Sequence, residues 1–229
     1  MAKLTMHGAL NGWGIAVLVP LAWFVFTVDG FLAITVPVQA NVLVVEGWIW
    51  ESAAMKEAAE EFNRGRYDVV VTVGTLPRWR EGEPLGEDAA AHAADQLREL
   101  GVSGQSIQVL AVPNIDRHRT YASALAVKHW LADAKIHVIG INVFTLGAHA
   151  RKSLVLFKRA FGQSVSVGVI AGVEDSYEPD RWWLSARGIY TVLRKTIGYL
   201  YAEWWPLPDD SRASPDQVAF LGRNSYGSC

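Results

Sequence analysis

The strongest constraint on the fold is an alternation in which five short runs rich in valine and isoleucine are separated by segments with helical periodicity. Runs this apolar are typical of strands buried on both faces, as in a parallel sheet. The pattern therefore predicts an α/β fold, a Rossmann-like doubly wound parallel sheet of about five strands with helices on both faces. The predicted strands cover residues 41–45, 68–73, 107–112, 136–143 and 165–170, and the predicted helices 51–63, 87–100, 119–132, 148–161 and 182–201.

An apolar segment precedes the first strand. Residues 12–28, GWGIAVLVPLAWFVFTV, contain no charged side chain, and roughly 17–25 apolar residues suffice for a helix that crosses a bilayer. We therefore expect a transmembrane anchor and linker over residues 1–36, the α/β domain over 41–205 and a flexible tail over 206–229. A cleaved signal peptide that ends at Val38-Gln39-Ala40 is the first alternative, and a buried globular helix is the second.

The flanking charges predict the orientation of this anchor. Lys3 precedes the apolar segment, and the next lysine or arginine along the chain is Lys56. The segment beside a transmembrane helix that carries more lysine and arginine stays in the cytoplasm, so the N-terminus is expected there and the α/β domain outside.

Composition and motifs exclude several functions. The net charge of −2 gives no reason to expect nucleic acid as a partner, and no RNA-binding or zinc-finger signature occurs. Cys229 is the only cysteine, so an internal disulfide or a cysteine-based metal site is impossible. The dinucleotide, P-loop and serine-hydrolase fingerprints are also missing. The sequence assigns no metal ligand and leaves the cofactor unknown.

The candidate site follows from the predicted topology. Ligands of a doubly wound sheet bind beyond the carboxyl ends of its strands, so the polar residues and glycines of the loops after the strands are the candidates. His149 and Glu46 are the candidate catalytic residues. The candidate ligand-binding residues are Gly47, Gly74, Arg117, Arg119, Thr120, Thr145, Arg151 and Lys152.

The start of the predicted helix at 148–161 points to the kind of ligand. His149, Arg151 and Lys152 crowd its first turn, where the helix macrodipole already places positive charge. An anion bound to the backbone N–H groups would remove the repulsion, so we expect an anion site there. Plainer explanations are a His149 that caps backbone groups, a charged surface turn at 116–120, and a salt bridge from Glu46 to a nearby arginine.

The order of these features resembles the ElyC/SanA/YdcF family, whose domain is called DUF218. The resemblance covers about residues 41–202 and lies in VVEGW, VTVGT, GEDAAAHAADQLRELGVSGQSI, DRHRTYASALAVKHWL and VFTLGAHARKSLVLF. Its best matches are Gly101, Val102, Ile107, Thr120, His149, Lys152 and Phe157. The chain departs from the family around Thr120, where it has Asn114, Arg117, Ala122 and Ser123, and Lys152 stands where the family has arginine.

The resemblance implies a single-pass protein of the bacterial inner membrane with an extracytoplasmic domain. Members of the family are linked to envelope integrity and lipid-carrier metabolism, and one cytoplasmic member is described as binding S-adenosylmethionine. The first functional hypothesis is an envelope protein that binds, and either hydrolyses or transfers, a phosphate-containing group such as the head of a polyprenyl carrier. In this hypothesis, arginine and lysine side chains bind phosphate oxygens, and His149 acts as general acid or base, with Glu46 as its partner or as a metal ligand.

The second hypothesis is a non-catalytic, membrane-tethered module that binds a nucleotide-like ligand or a protein partner. It draws on the aromatic residues in and beside the last predicted helix, which either cover the core or form an interfacial belt or partner groove. These residues are Trp182, Trp183, Tyr190, Tyr199, Tyr201, Trp204 and Trp205.

Overall fold

Five strands form one all-parallel sheet in the computed structural model, which confirms the predicted Rossmann-like α/β fold. They are β1 (Val42–Glu46), β2 (Val69–Thr75), β5 (Ile107–Val112), β6 (Gly140–Leu146) and β7 (Ser166–Gly172). An additional hairpin of β3 (Arg78–Arg80) and β4 (Glu83–Leu85), which we did not predict, forms a separate two-stranded sheet. The structure describes residues 4–64, 66–76, 78–80, 83–85, 88–113 and 117–207, with side chains from Ala16 onward except in β3 and β4. Most of the predicted tail at 206–229 therefore lies outside the described residues.

Helices cover both faces of the sheet because successive strand residues point to opposite sides. Val44 of β1 packs in one apolar cluster and Leu43 in the other. The first cluster includes residues of α4 (Arg119–Asp133) and α5 (Ala150–Phe161), and the second includes residues of α2 (Ser52–Asn63) and α3 (Ala89–Glu99). Burial of each such valine or leucine side chain contributes about 1.5–3 kcal/mol, which explains why the strands read as continuous apolar runs.

The strand order positions the ligand crevice. Across the sheet the order is β5-β2-β1-β6-β7, so the chain moves outward from β1 in one direction and returns to the other side of β1 with β6. β1 and β6 are direct neighbours, with Val45 paired to Phe144. A crevice opens beyond the carboxyl ends of the strands where the winding reverses, which here means beyond Glu46 and Leu146.

Several predicted boundaries differ from the structure by one to four residues, and the local backbone explains three of them. The fourth strand begins at Gly140 rather than at 136, because Lys135 has a φ of 53° and the backbone N–H of Ile139 donates to Asn41 Oδ1 at 2.8 Å. A 3₁₀ turn at Gly147–His149 delays the start of α5 to Ala150. The last helix, α6 (Ala186–Trp204), likewise follows a 3₁₀ segment at Pro179–Leu184.

The N-terminal helix α1 (Leu4–Leu32) ends against the domain. Val28 and Leu32 are buried with Trp182, whose indole N–H donates to the carbonyl of Val25 at 2.9 Å. Earlier in the helix, Trp23 and Phe26 each expose 70% of their surface. Side chains are described only for the last 17 residues of α1, from Ala16 to Leu32. Within the part of the chain whose side chains are described, no helix is long and apolar enough to cross a bilayer.

Candidate functional site

A pocket of about 410 Å³ opens at the predicted crevice, beyond the carboxyl ends of β1 and β6. Its walls come from the loops after the strands on one side and from α6 on the other. It is lined by Glu46, Trp48, Val73, Gly74, Thr75, His118, Arg119, Thr120, Ser123, His149, Lys152, Arg194, Lys195 and Gly198.

Glu46 is the last residue of β1, and it holds the inner wall together. Only 2% of its surface is exposed, and Oε2 accepts hydrogen bonds from the hydroxyls of Thr145 and, at 2.8 Å, Ser153. Burial raises the pKa of Glu46, while these hydroxyls and the charges of Lys195 and Lys152 oppose that rise. The carboxyl group thus joins the end of β6 to the first turns of α5, and its partners are hydroxyls rather than the arginines that the sequence suggested.

His149 lies beside this carboxyl group in the floor of the pocket. Its Nε2 is 3.8 Å from Glu46 Oε2 and 3.5 Å from Thr120 Oγ1, and only 7% of the residue is exposed. Burial, followed by the charges of Lys195, Lys152 and Arg194, holds the pKa of His149 well below its usual value. The imidazole is therefore neutral near pH 7, and its approach to Glu46 is not an ion pair.

Lys195 of α6 determines which nitrogen of His149 carries the proton. Its Nζ is 3.1 Å from His149 Nδ1 and 4.3 Å from the centre of the Trp48 ring. Burial and the neighbouring Arg194 lower the pKa of Lys195 to about 8, so the ammonium form predominates at pH 7. An ammonium group can only donate, so Nδ1 accepts and the single ring proton resides on Nε2. His149 consequently presents an N–H donor toward Glu46 and Thr120.

Positive charge predominates in the pocket. Of the described lining residues, Arg119, Lys152, Arg194 and Lys195 are cationic and Glu46 is the only carboxylate. No carboxylate of the described part of the chain forms an ion pair with any of these four cations. Burial, with Arg119 and Arg194 nearby, also lowers the pKa of Lys152. Burial therefore makes the charges of Lys152 and Lys195 costly, and an anionic ligand would reduce that cost.

Two predicted site residues lie away from the pocket. The Arg151 Nε–H donates to the carbonyl oxygen of Phe31, and the guanidinium carbon lies 3.8 Å from the centre of the Phe31 ring. Arg151 therefore joins α5 to the end of α1 and is not a pocket cation, which corrects its assignment to the anion site. Arg117 is exposed and does not line the pocket either.

The two predicted glycines have a packing role. A Cβ atom on Gly47 would lie 2.5 Å from the carbonyl oxygen of Ala89, and one on Gly74 would lie 2.8 Å from the backbone nitrogen of Ala90. Both positions must be glycine because the start of α3 packs directly against them. Gly74 also lines the pocket, whereas Gly47 does not. Gly47 was predicted as a ligand-binding residue, but its place in the structure is explained by packing against α3.

The remaining predicted residues come together as expected. Arg119, Thr120, His149 and Lys152 line the pocket, while Thr145 is fully buried and acts on it through Glu46. Asp116, the first residue of the charged turn considered at 116–120, lies outside the described residues.

Sequence reasoning missed the contribution of α6. Arg194, Lys195 and Gly198 form one side of the pocket, although the last helix was interpreted only as an aromatic-rich element. Their spacing carried a signal, because residues three and four apart share one helical face. That face carries two basic residues and a glycine, and it borders the aromatic side chains, since Arg194 lies 5.5 Å from the Tyr190 ring.

Among the residues that the structure describes, one group of carboxylates has the proximity that a metal ion needs. Oxygens of Glu51, Glu174 and Asp175 lie within 4.8 Å of one another, but none of the three residues lines the pocket. Glu174 already accepts hydrogen bonds from the backbone and hydroxyl of Ser176, the former at 3.1 Å. Exposed acidic groups commonly approach each other without a metal, so this cluster assigns no metal to the protein.

Comparison with known proteins adds no family. A scan against protein-family models found no match, and a search of curated proteins found no significant match. The resemblance to the ElyC/SanA/YdcF family stays a prediction that rests on the motifs quoted above.

Proposed function

We propose that this protein binds a phosphate-containing envelope precursor, such as the head group of a polyprenyl carrier, in the pocket between β1, β6 and α6. One observation carries the proposal: four cations line the pocket, and no described carboxylate forms an ion pair with any of them. Hydrogen bonds from ammonium and guanidinium groups to phosphate are roughly twice as strong as neutral ones. The pocket is therefore matched to a ligand with several anionic oxygens.

His149 gives this site a means of hydrolysis. As a water oxygen forms its bond to phosphorus, the bridging P–O bond breaks and Nε2–H gives its proton to the departing oxygen. A neutral imidazole can lose that proton without becoming an anion only if Nδ1 gains another. Lys195 Nζ is 3.1 Å from Nδ1, and with a pKa of about 8 it can supply one. The proton released by the attacking water then restores the pair.

We also propose that α1 anchors the protein in the bacterial inner membrane, with the α/β domain on the extracytoplasmic side. Val28 and Leu32 at the end of α1 are buried against the domain, and the 24 residues from Leu4 to Thr27 contain no Asp, Glu, Lys or Arg. At about 1.5 Å per residue they extend roughly 36 Å, more than the hydrocarbon thickness of a bilayer. A C-terminal reporter that works only outside the cytoplasm should be active on this chain, and a mature N-terminus at Asn41 would contradict the anchor.

A non-catalytic module is the second candidate. Trp204 and Trp205 are 78% and 56% exposed at the end of α6, as expected for a surface that contacts something else. On this alternative the same pocket binds the phosphorylated ligand without cleaving it.

The test uses full-length protein in nanodiscs and a soluble short-chain isoprenyl diphosphate. We expect saturable binding by calorimetry and release of phosphate, and His149→Gln should slow release by about 10²-fold or more while affinity stays within a few-fold. Binding without release in the wild type supports the non-catalytic module. Absence of binding contradicts both.

A further inference from the structure

The outer face of α6 carries an apolar stripe next to the pocket. Tyr190, Leu193, Ile197, Tyr201 and Trp204 recur at helical spacing, with exposed fractions from 38% to 78%. Water-soluble surfaces rarely leave so many large apolar side chains together. The opposite face holds the buried Gly188, Val192 and Ala202, so the stripe is not the face that α6 packs on the domain.

The end of α1 packs beside α6, on the side of the helix away from the stripe. The Phe26 ring lies 5.0 Å from that of Trp183, just before α6, and the Phe31 ring lies 5.5 Å from that of Tyr199. Val192 of α6 is also buried with Val28 and Leu32 of α1. The part of α6 that carries the stripe therefore lies next to the point where α1 joins the domain.

The charges of α6 suit an anionic surface. Arg187, Arg194 and Lys195 lie on the helix, and its only acidic residue is Glu203 near the end. Arg194 lies 5.5 Å from the Tyr190 ring and also lines the pocket. Helices that lie in a membrane interface combine a basic polar face with an apolar face rich in Trp and Leu.

We propose that the outer face of α6 docks on the anionic lipid surface of the bilayer that α1 crosses, so that the pocket receives its phosphorylated ligand from the lipid headgroup layer. The inference rests on the proposed function, and it adds that the ligand is a membrane lipid rather than a soluble metabolite. Arg194 then forms the side of the pocket nearest the headgroups, because it lines the pocket and lies 5.5 Å from the ring of Tyr190 in the stripe.

Spin labelling of the full chain tests the docking. In a Cys229→Ser background, which removes the only native cysteine, a nitroxide is attached at Ile197→Cys in the stripe. The matched control is Glu60→Cys on α2, which packs on the opposite face of the sheet from α5. The proteins are reconstituted in vesicles of phosphatidylcholine and phosphatidylglycerol. Collisions with oxygen and with a water-soluble nickel chelate are then measured.

We expect the label at position 197 to collide more with oxygen than with nickel, and the label at position 60 to do the reverse. Equal access of nickel to both labels overturns the proposal, because the stripe would then face water. A label at 197 shielded from both reagents also overturns it, because the stripe would be covered by residues 208–229 or by a second copy.

A functional arm separates this inference from the proposed function. Ile197→Glu should weaken binding of a long-chain polyprenyl diphosphate in vesicles by about tenfold, through loss of apolar insertion, and leave binding of the soluble short-chain diphosphate unchanged. Equal losses for both ligands contradict docking. If the wild type binds neither, the proposed function fails, whereas the labelling experiment still decides whether α6 lies on the membrane.

Discussion

The two walls of the pocket hold their polar groups in opposite ways. On the strand side, Glu46 is buried and accepts from Thr145 and Ser153, so its hydrogen bonds are made within the protein. On the α6 side, Arg194 is exposed, and Lys195 contacts a neutral histidine and an aromatic ring. The difference teaches that the polar groups of the first wall are satisfied within the fold, whereas the cations of the second have no described carboxylate in an ion pair, and the proposed function depends on this second wall.

Glu46→Ala should produce the largest effect, a loss of about 3 kcal/mol in the free energy of unfolding. The substitution leaves two buried hydroxyls without their acceptor and removes the negative charge nearest to Lys152 and Lys195. Urea unfolding of the solubilised protein measures it. The control Glu60→Ala removes an exposed carboxylate 3.9 Å from Lys56 and should cost less than about 0.5 kcal/mol. Similar losses at both positions would contradict a structural role for the strand wall.

Lys195→Met, on the other wall, should lower the affinity for the ligand without lowering the stability of the protein. The change removes the charge and keeps the stem over Trp48, so affinity for the isoprenyl diphosphate should fall by about 10- to 100-fold through loss of one charge-assisted hydrogen bond. The free energy of unfolding should stay level or increase, because a lysine whose pKa is lowered to about 8 by burial opposes folding while charged. Calorimetry and urea unfolding on the same sample measure both quantities. A large loss of stability with unchanged affinity would remove the distinction between the walls.

Thr145→Val tests the strand wall with a smaller change. Thr145 is fully buried and donates to Glu46, so the isosteric valine should cost about 1.5 kcal/mol of stability. The matched variant is Thr120→Val, in which the lost hydroxyl is half-buried and 3.5 Å from His149 Nε2. We expect it to cost less than about 0.5 kcal/mol, since so long a contact contributes little. Thermal unfolding of both variants measures the two losses of stability. A greater loss for Thr120→Val than for Thr145→Val would contradict the structural role of the strand wall.

Raising the pH through 8 should weaken anion binding severalfold, because Lys195 loses its charge. The same loss should not lower the free energy of unfolding. Lys195 loses its proton near pH 8 in the folded protein, whereas its usual pKa is 10.5. Above pH 8 the unfolded chain therefore binds more protons than the folded one, so the contribution of Lys195 to stability increases with pH up to its unfolded pKa. The affinity falls because the ammonium charge is lost. Lys195→Met should abolish this pH step, and its persistence in that variant would assign it to another group.

The sequence was sufficient for the sheet and for the inner wall. Five β-branched runs predicted five parallel strands, and the crevice rule placed Glu46 and His149 at one edge before any contact was known. Lys195 could not be placed in the same way. Its contact with His149 joins residues 46 positions apart and depends on how α6 returns across α5.

Neighbouring basic residues on α5 illustrate the same limit. Successive residues of a helix point about 100° apart, so Arg151 and Lys152 could not both face one small pocket. The position of α1 decides between them, because Phe31 provides the carbonyl and the ring that hold Arg151. Nothing in the local sequence of α5 indicates where α1 lies.

These two neighbours provide the most direct test of the anion site. Lys152 lines the pocket and Arg151 contacts Phe31, although both are cations of the same helical turn. Calorimetric titration of the nanodisc-embedded protein with the isoprenyl diphosphate should give a dissociation constant about tenfold higher for Lys152→Met and within about twofold of wild type for Arg151→Met. Equal affinities for the two variants, or a greater loss for Arg151→Met, would contradict the assignment of the pocket as the phosphate site.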